Sequence, residues 1–203
     1  MKRIAVTGGI GSGKSYVCRL LEQRGITIYD CDAAAKRLMR TSAKLRRRLI
    51  KLIGPDTYIQ GELNKAAVAR YLLASETNAH AIDAIVHPAV ADDFMQSGLQ
   101  WLESAILFQS GFHRRVHFDT VIVVTAPEEV RLQRVMQRDG ISREKACEWI
   151  ARQWPQDQVR QLADHEIIND GQADLNLQLD TLLPLLMNDK NDSPDGAKSS
   201  PPI

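Results

Sequence analysis

The chain has 203 residues, with 26 lysine and arginine residues against 25 aspartate and glutamate residues and a formal net charge of +1. This balance gives no global reason to expect a nucleic-acid or anionic-membrane partner. Its three cysteines lack the spacing and the even number typical of a disulfide framework or a zinc site, which favours reduced thiols. We find no signal-peptide pattern and no apolar run near the roughly 20 residues that cross a membrane, so we expect a cytoplasmic protein.

A glycine-rich stretch, TGGIGSGKSY, occupies residues 7–16 and contains the pattern G-x-x-x-x-G-K-[ST] at Gly8, Gly13, Lys14 and Ser15. In this pattern backbone N–H groups surround a triphosphate, and the lysine reaches its β- and γ-phosphates. The apolar run RIAV precedes the motif, and a helical pattern, SYVCRLLEQRG, follows it. A strand, a glycine loop and a helix in this order aim the helix N-terminus at an anion. The motif therefore predicts nucleotide binding.

The next elements alternate between strand and helix before the pattern changes. ITIYD reads as a strand ending at Asp30, and a helix with Asp32 near its start follows. Between residues 41 and 98 the strand signal disappears and apolar residues recur at helical spacing, so we predict an all-helical insertion there. Strands resume with LQWLE, which ends at Glu103, and with the β-branched run DTVIVVTAP.

The remaining third of the chain continues the alternation. We predict a helix from about residue 128 to 138, a polar arginine-rich lid over about 138–160, a short strand near Ile167 and a last core helix in LNLQLDTLLPLLM. Strands alternating with helices predict an α/β fold with a parallel sheet covered on both faces. The predicted parts are a nucleotide-binding core at 1–40 and 99–188, a helical insertion at 41–98, and a disordered tail at 189–203.

Three carboxylates are expected at the carboxyl ends of strands, where ligands of parallel sheets bind. Asp32 is a candidate general base for an attacking hydroxyl, or a magnesium ligand. Asp30 could share that role or cap the following helix. Glu103 could orient a hydrated Mg²⁺ or could be a solvated strand end.

Arginines are concentrated around the RDG turn and could stabilise the charge that builds on a transferring phosphoryl group. Arg138, at the end of its predicted helix, is the candidate for this role. We expect most of the other arginines, Arg131, Arg134, Arg143 and Arg152, to be solvated on helix faces. The basic run KLRRRLIK at residues 44–51 has amphipathic spacing, so a solvated face is expected, with a nucleic-acid or phosphorylated ligand as alternatives.

Five stretches of the chain occur in an order that is characteristic of one enzyme family. They are TGGIGSGKS at 7–15, the Asp-x-Asp ending at Asp32, the His-Pro at 87–88, QRDGIS at 137–142 and RQWPQDQVRQLADHEIINDG at 152–171. With these motifs the chain resembles the dephospho-coenzyme A kinases over nearly its whole length before the tail. The resemblance implies a P-loop kinase fold and transfer of the γ-phosphoryl group of ATP, with Mg²⁺, to the ribose 3′-hydroxyl of dephospho-coenzyme A, the last step of coenzyme A synthesis.

The resemblance also assigns roles to individual positions. Lys14, Asp32 and Arg138 would be catalytic, with Asp32 as the general base and Arg138 meeting the phosphoryl group. Ser15 would ligate Mg²⁺, and the insertion would bind the acceptor. The residues implied to hold ATP are Gly8, Gly9, Gly11, Ser12, Gly13, Lys14, Ser15 and Tyr16 in the loop, with Asn169 and Gly171 near the adenine.

Four positions depart from the family pattern. Tyr16 stands where many members have threonine, Gln109 replaces a common carboxylate, Trp149 occupies a frequent arginine position, and Ile168 replaces a frequent aspartate. The phosphate motif alone reports the donor and leaves the acceptor open. Another small-metabolite or nucleoside kinase, a nucleotide-dependent switch and, through KLRRRLIK, a nucleic-acid-binding protein therefore stay as alternatives.

Overall fold

A computed structural model of the chain describes residues 2–187, and the predicted disordered tail, 189–203, lies outside the described residues. A five-stranded parallel sheet with the order β2-β5-β1-β6-β7 forms the centre. Its strands are β1 (Ile4–Thr7), β2 (Ile28–Asp30), β5 (Trp101–Ser104), β6 (Thr120–Thr125) and β7 (His165–Ile168). Every predicted strand is therefore present, and the predicted parallel α/β fold is confirmed.

Helices cover both faces of the sheet because its central strands are apolar on both sides. Along β1, Ala5 belongs to one buried apolar cluster and Val6 to the other, as the alternation of strand side chains requires. The helices are α1 (Lys14–Glu22), α2 (Cys31–Thr41), α3 (Ala43–Ile53), α4 (Lys65–Ala74), α5 (Glu76–Ser97), α6 (Glu128–Asp139), α7 (Arg143–Ala151), α8 (Gln156–Leu162) and α9 (Leu175–Met187). Among residues 2–187 no helix is long and apolar enough to span a bilayer.

The insertion contains one feature that the sequence reading missed. Helices α3, α4 and α5 occupy most of it, but a hairpin of β3 (Tyr58–Ile59) and β4 (Glu62–Leu63) lies between α3 and α4. The prediction of an all-helical insertion was therefore wrong. Gln60 and Gly61, with φ of 51° and 91°, form the two-residue connection that suits a tight hairpin. Strands of two residues are too short to show a period of two, which is why no strand signal appeared.

The helices of the insertion begin at side-chain caps. The side chain of Ser42 accepts a hydrogen bond from the N–H of Leu45, Asn64 from Ala67, and Ser75 from Asn78. Each such cap satisfies one of the N–H groups that a helix start leaves unpaired. The starts of α3, α4 and α5 are thus encoded locally.

The lid segment, residues 138–160, comprises the end of α6, helix α7 and the start of α8. Helix α7 packs on α6 through a small apolar cluster of Leu132, Val135 and Ala146. Trp149, one of the departures from the family pattern, packs against this cluster. Its ring is thus part of the apolar packing between α6 and α7.

Candidate active site

The phosphate loop, residues 8–15, connects the end of β1 to the start of α1. Gly13 precedes the helix with φ of 84°, a left-handed conformation that favours glycine. A Cβ atom at this position would collide with Nδ2 of Asn169, so both the backbone and the close neighbour require glycine. The carboxyl end of β1 and the N-terminus of α1 therefore meet at a concave turn built for an anion.

Side chains from distant parts of the chain hold the carbonyl groups of this loop. The Arg134 guanidinium donates to the carbonyls of Ser12 at 3.3 Å and Gly11 at 3.4 Å, and Nδ2 of Asn169 donates to that of Ser12 at 3.0 Å. Within the described chain, no hydrogen-bond partner is assigned to the N–H groups of Gly11, Gly13, Lys14 and Ser15. These four donors are available to a phosphate.

Two arginines support the loop, contrary to the expectation that they are solvated. Arg131 is 5% exposed and donates from Nε to the carbonyl of Ile10 at 3.0 Å, and burial lowers its pKa. Arg134 is half-buried and also donates to both the carbonyl and the side chain of Asn169. Their spacing of three residues, which places them on one face of a helix, was the only signal in the sequence. Arg143 and Arg152 are exposed, as expected, and Arg143 pairs with Glu129.

A cleft of about 500 Å³ opens above the phosphate loop. Pockets that hold small molecules commonly measure about 300–1,000 Å³. Asp32, at the start of α2, and Arg138, at the end of α6, line the cleft together with Lys14 and Ser15. The structure thus brings the predicted base, the predicted lid arginine and the motif residues to one place.

Lys14 forms an ion pair with the carboxylate of Glu103, and both side chains are about nine-tenths buried. Burial lowers the pKa of the Lys14 ammonium, and the nearby thiol of Cys18 and carboxylates of Asp32 and Asp30 act in the opposite direction. The ion pair with Glu103 and these carboxylates favour the charged form of the lysine, against the effect of burial. Glu103 is therefore in contact with the motif lysine and does not end its strand as a solvated side chain.

The two aspartates at the end of β2 have different surroundings. Asp30 caps α2 by accepting the N–H of Ala33 at 2.9 Å, and it lies in register with Glu103 on β5. Asp32 is exposed in the first turn of the helix and lines the cleft. The structure thus gives Asp30 the capping role and leaves Asp32 open to the cleft.

Arg138 is exposed and engages its neighbour Asp139 through two guanidinium nitrogens, with the shortest contact at 2.7 Å. The hydrogen bonds that Arg138 donates to Asp139 raise the pKa of the guanidinium. An exposed pair of this kind contributes little to stability, because solvent screens it. The side chain can therefore leave this pair for a more highly charged anion.

The remaining predicted nucleotide residues occupy different positions. Gly8, Gly9, Gly11, Gly13 and Tyr16 line the cleft, whereas Ser12 is fully buried beneath the loop and its hydroxyl has no partner among residues 2–187. Asn169 is also buried, 7% exposed, and its amide supports the loop from below. Gly171 has φ of 91° and is not among the residues that line the cleft. Contacts of Asn169 and Gly171 with adenine stay predictions.

The last two departures from the family pattern make contacts with the backbone. Ile168 is exposed at the end of β7, where its peptide N–H and carbonyl are both bonded by the side chain of Gln178. Gln109 contacts the lid segment, bonding the carbonyl of Arg152 and the N–H of Trp154. Among residues 2–187 no group of three or more His, Cys, Asp or Glu side chains is arranged to hold a metal ion.

Comparison with known proteins decides the family. A family model described as dephospho-CoA kinase matches residues 2–174. The chain belongs to the dephospho-CoA kinase family. The predictions of this family, of a P-loop kinase fold and of an ATP-dependent kinase are thereby confirmed.

Individual relatives agree with this assignment. A dephospho-CoA kinase from Bacteroides fragilis is 38% identical, over 91% of this chain and 92% of the relative. One from Porphyromonas gingivalis is 42% identical, over 83% of this chain and 86% of the relative. The structure of dephospho-CoA kinase from Campylobacter jejuni superposes with a TM-score of 0.65 at 20% identity, covering 91% of this chain and 96% of that one, a likeness that supports the fold alone.

Proposed function

We propose that this chain transfers the γ-phosphoryl group of ATP to the ribose 3′-hydroxyl of dephospho-CoA. The observation that carries the proposal is the single cleft that joins Lys14 and Ser15 of the phosphate loop to Asp32 and Arg138. Membership in the dephospho-CoA kinase family supplies the acceptor. Phosphoryl transfer requires mainly positioning and charge stabilisation, and these four side chains can provide both.

The loop would bind the triphosphate of ATP before any chemistry occurs. The N–H groups of Gly11, Gly13, Lys14 and Ser15, which have no partner among residues 2–187, would supply four donors, and the N-terminus of α1 adds a partial positive charge. Lys14 would exchange its contact with Glu103 for the β- and γ-phosphates. Its buried position strengthens that interaction, because few waters remain to screen it.

Asp32 would accept the proton of the attacking hydroxyl. Its carboxylate is exposed to the cleft and is not used as a helix cap, whereas the carboxylate of Asp30 is. A base must lie within hydrogen-bond reach of the proton that it removes, and the first turn of α2 brings Asp32 to the edge of the phosphate site. Asp32 is therefore the preferred base of the two.

Arg138 would meet the transferring phosphoryl group. The charge that builds on its equatorial oxygens attracts a guanidinium, and an exposed pair with Asp139 is easily exchanged. Closure of the lid segment over the cleft would also exclude water, which competes with the ribose hydroxyl as an acceptor.

Mg²⁺ fits the donors that surround the loop. This ion is usually held by one or two protein oxygens together with nucleotide phosphates and water. Ser15, which lines the cleft, and Glu103, which contacts Lys14, would supply those oxygens. Held by these residues, Mg²⁺ would neutralise part of the charge of the triphosphate.

The insertion, residues 41–98, would bind the acceptor. It lies next to α2, whose first turn carries Asp32, and packs on it through α5. We further propose a cytoplasmic enzyme that acts on a small molecule, without a nucleic-acid or membrane partner. For the parts of the chain we propose the ranges predicted from the sequence, with the donor core at 1–40 and 99–188, the acceptor insertion at 41–98 and the lid at about 138–160.

ADP release tests the proposal directly. The purified protein is assayed with ATP and Mg²⁺ in the presence of dephospho-CoA, adenosine, shikimate, a nucleoside monophosphate or no acceptor. We expect turnover only with dephospho-CoA. Turnover with another acceptor would contradict the acceptor assignment, and equal turnover without any acceptor would identify a nucleotide hydrolase.

A further inference from the structure

A single amide side chain holds the backbone on both sides of Gln153. Gln109, in the segment after β5, donates from Nε2 to the carbonyl of Arg152 at 3.0 Å and accepts the N–H of Trp154 through Oε1 at 3.1 Å. These two groups belong to the two peptide units that flank Gln153. The amide of Gln109 therefore fixes the direction in which the Gln153 side chain leaves the lid segment.

Gln153 in turn contacts the phosphate loop. Its Oε1 accepts the N–H of Ile10 at 2.7 Å, while the carbonyl of Ile10 accepts from Nε of Arg131. The approach is close, because a Cβ atom on Gly9 would lie 2.7 Å from the Arg131 guanidinium and 3.1 Å from Oε1 of Gln153. The backbone N–H and the backbone carbonyl of Ile10 are thus both bonded by side chains.

We propose that Gln109 is a positioning residue for ATP, acting through Gln153 on the phosphate loop. The N–H of Ile10 is occupied by Gln153, and the next N–H groups without an assigned partner in residues 2–187 start at Gly11. Fixing the Ile10 peptide orients the loop before the triphosphate arrives, which lowers the entropy lost on binding. The inference rests on the proposed ATP site, but not on the identity of the acceptor.

The amide is the chemical group that this arrangement needs. A carboxylamide offers one donor and one acceptor, which match the carbonyl of Arg152 and the N–H of Trp154. An ionised carboxylate accepts only, so a glutamate at this position would keep the contact with Trp154 and lose the other. Gln109 and the lid segment of this chain are therefore complementary in a way that a glutamate at this position would not be.

A nearby glutamine provides a matched control. Gln156 lies in the same segment and accepts the N–H of Ala126 at the end of β6 through Oε1 at 3.1 Å. This bond also ties the lid segment to the core, but it does not involve the peptide units next to Gln153. Gln156→Ala removes a contact of the same kind without reaching Ile10.

The experiment is a double-mutant cycle read by ATP binding. Calorimetry measures ATP affinity for the wild type, Gln109→Ala, Gln153→Ala, the double variant and Gln156→Ala, and steady-state assays measure KM for ATP and for the acceptor. We expect Gln109→Ala to weaken ATP binding about three- to tenfold, which corresponds to one lost hydrogen bond, with the acceptor KM unchanged. In the Gln153→Ala background the same substitution should have little further effect.

Three results would overturn the proposal. The first is an ATP affinity of Gln109→Ala within about twofold of that of the wild type. The second is that Gln109→Ala weakens ATP binding as much in the Gln153→Ala background as it does in the wild type. The third is that Gln156→Ala weakens ATP binding as much as Gln109→Ala does. Gln109→Glu, which keeps the side-chain size and the contact with Trp154 but sets a carboxylate against the carbonyl of Arg152, repeats the test with an expected loss at least as large should the alanine variant fold poorly. An incorrect acceptor assignment would appear only in the ADP-release assay and would leave the pattern of ATP affinities intact.

Discussion

The donor site and the insertion are held together by different kinds of contact. Around the phosphate loop, side chains more than 100 positions away bond individual peptide groups, as Arg134 and Asn169 do with Ser12. In the insertion most side-chain hydrogen bonds join residues within eight positions, as in the caps at Ser42 and Asn64. A site whose shape depends on long-range polar contacts should be strongly affected by single substitutions. Helices that are held by caps and apolar packing should tolerate single substitutions better.

Removing the motif lysine should produce the largest effect. Lys14→Ala is expected to lower turnover by about 10²-fold or more, equivalent to about 2.7 kcal/mol, because a buried positive charge is lost where the γ-phosphoryl group reacts. Steady-state kinetics measure the loss. Lys145→Ala, at an exposed lysine of α7 that pairs with Glu148, is the matched control and should leave turnover unchanged. Unchanged turnover in Lys14→Ala would remove the proposed role.

The two neighbouring aspartates offer a second test of comparable size. Asp32→Asn should lower turnover about 10²-fold while ATP affinity changes little, because the base is lost and the shape is kept. Asp30→Asn should retain activity, since asparagine caps a helix as well as aspartate does. Turnover and ATP affinity are measured in parallel for both variants. A loss of turnover in Asp30→Asn as large as that in Asp32→Asn would indicate a catalytic role for Asp30. Lost ATP binding in Asp32→Asn would indicate that Asp32 binds the metal.

The donor site could be predicted from the sequence as far as its contacts are local. The motif, the strand before it and the helix after it are consecutive, so Gly13, Lys14 and Ser15 were assigned from the sequence alone. The supports of the loop, Arg131 and Gln153, lie 121 and 143 positions away from Ile10. Apart from the three-residue spacing of Arg131 and Arg134, nothing in their own neighbourhood distinguishes them from solvated polar residues, so only the folded chain identifies their contacts.

In the insertion the limit has a different origin. Helical periodicity located the region that α3, α4 and α5 occupy, because amphipathic helices carry that pattern over ten residues or more. The hairpin between Tyr58 and Leu63 has strands of two residues, a length at which no pattern exists. Gln60 and Gly61 form the turn, and in the sequence this dipeptide does not differ from one in an ordinary loop.

Gly13 and Gly140 both have a left-handed backbone conformation, but only Gly13 has close neighbours around its Cα atom. Gly13→Ala adds a collision with Asn169 to the strain of its φ of 84°, whereas Gly140→Ala, with φ of 63° and open space around it, adds the strain alone. We expect both variants to lose about 1–2 kcal/mol of stability from strain. Gly13→Ala alone should also weaken ATP binding, by about tenfold, since Asn169 supports Ser12. Thermal unfolding and calorimetry measure the two effects, and equal ATP affinities would contradict this account.

A long-range polar contact at Asp93 also helps to anchor the insertion, and removing it should produce the smallest effect. Asp93 of α5 accepts hydrogen bonds from the hydroxyl of Tyr29 at 2.6 Å and from the guanidinium of Arg37 at 2.5 Å. Partial burial acts to raise the pKa of Asp93, but these two hydrogen bonds outweigh it and lower the pKa. Through this carboxylate, α5 is joined to β2 and to α2, the helix that carries Asp32.

The pH dependence of stability tests that anchor. Because the pKa of Asp93 is lower in the folded protein than in the unfolded chain, its contribution is present above about pH 4 and is lost as the pH falls further. Asp93→Asn should therefore be less stable than the wild type at pH 7, by about 1 kcal/mol, and the difference between the two proteins should shrink as the pH falls below about 4. Unfolding measured across this range, with the exposed neighbour substitution Asp92→Asn as control, decides the point. A loss at pH 7 of about 3 kcal/mol or more would mean that the insertion, too, depends on single long-range contacts, and that it differs from the donor site only in the number of such contacts.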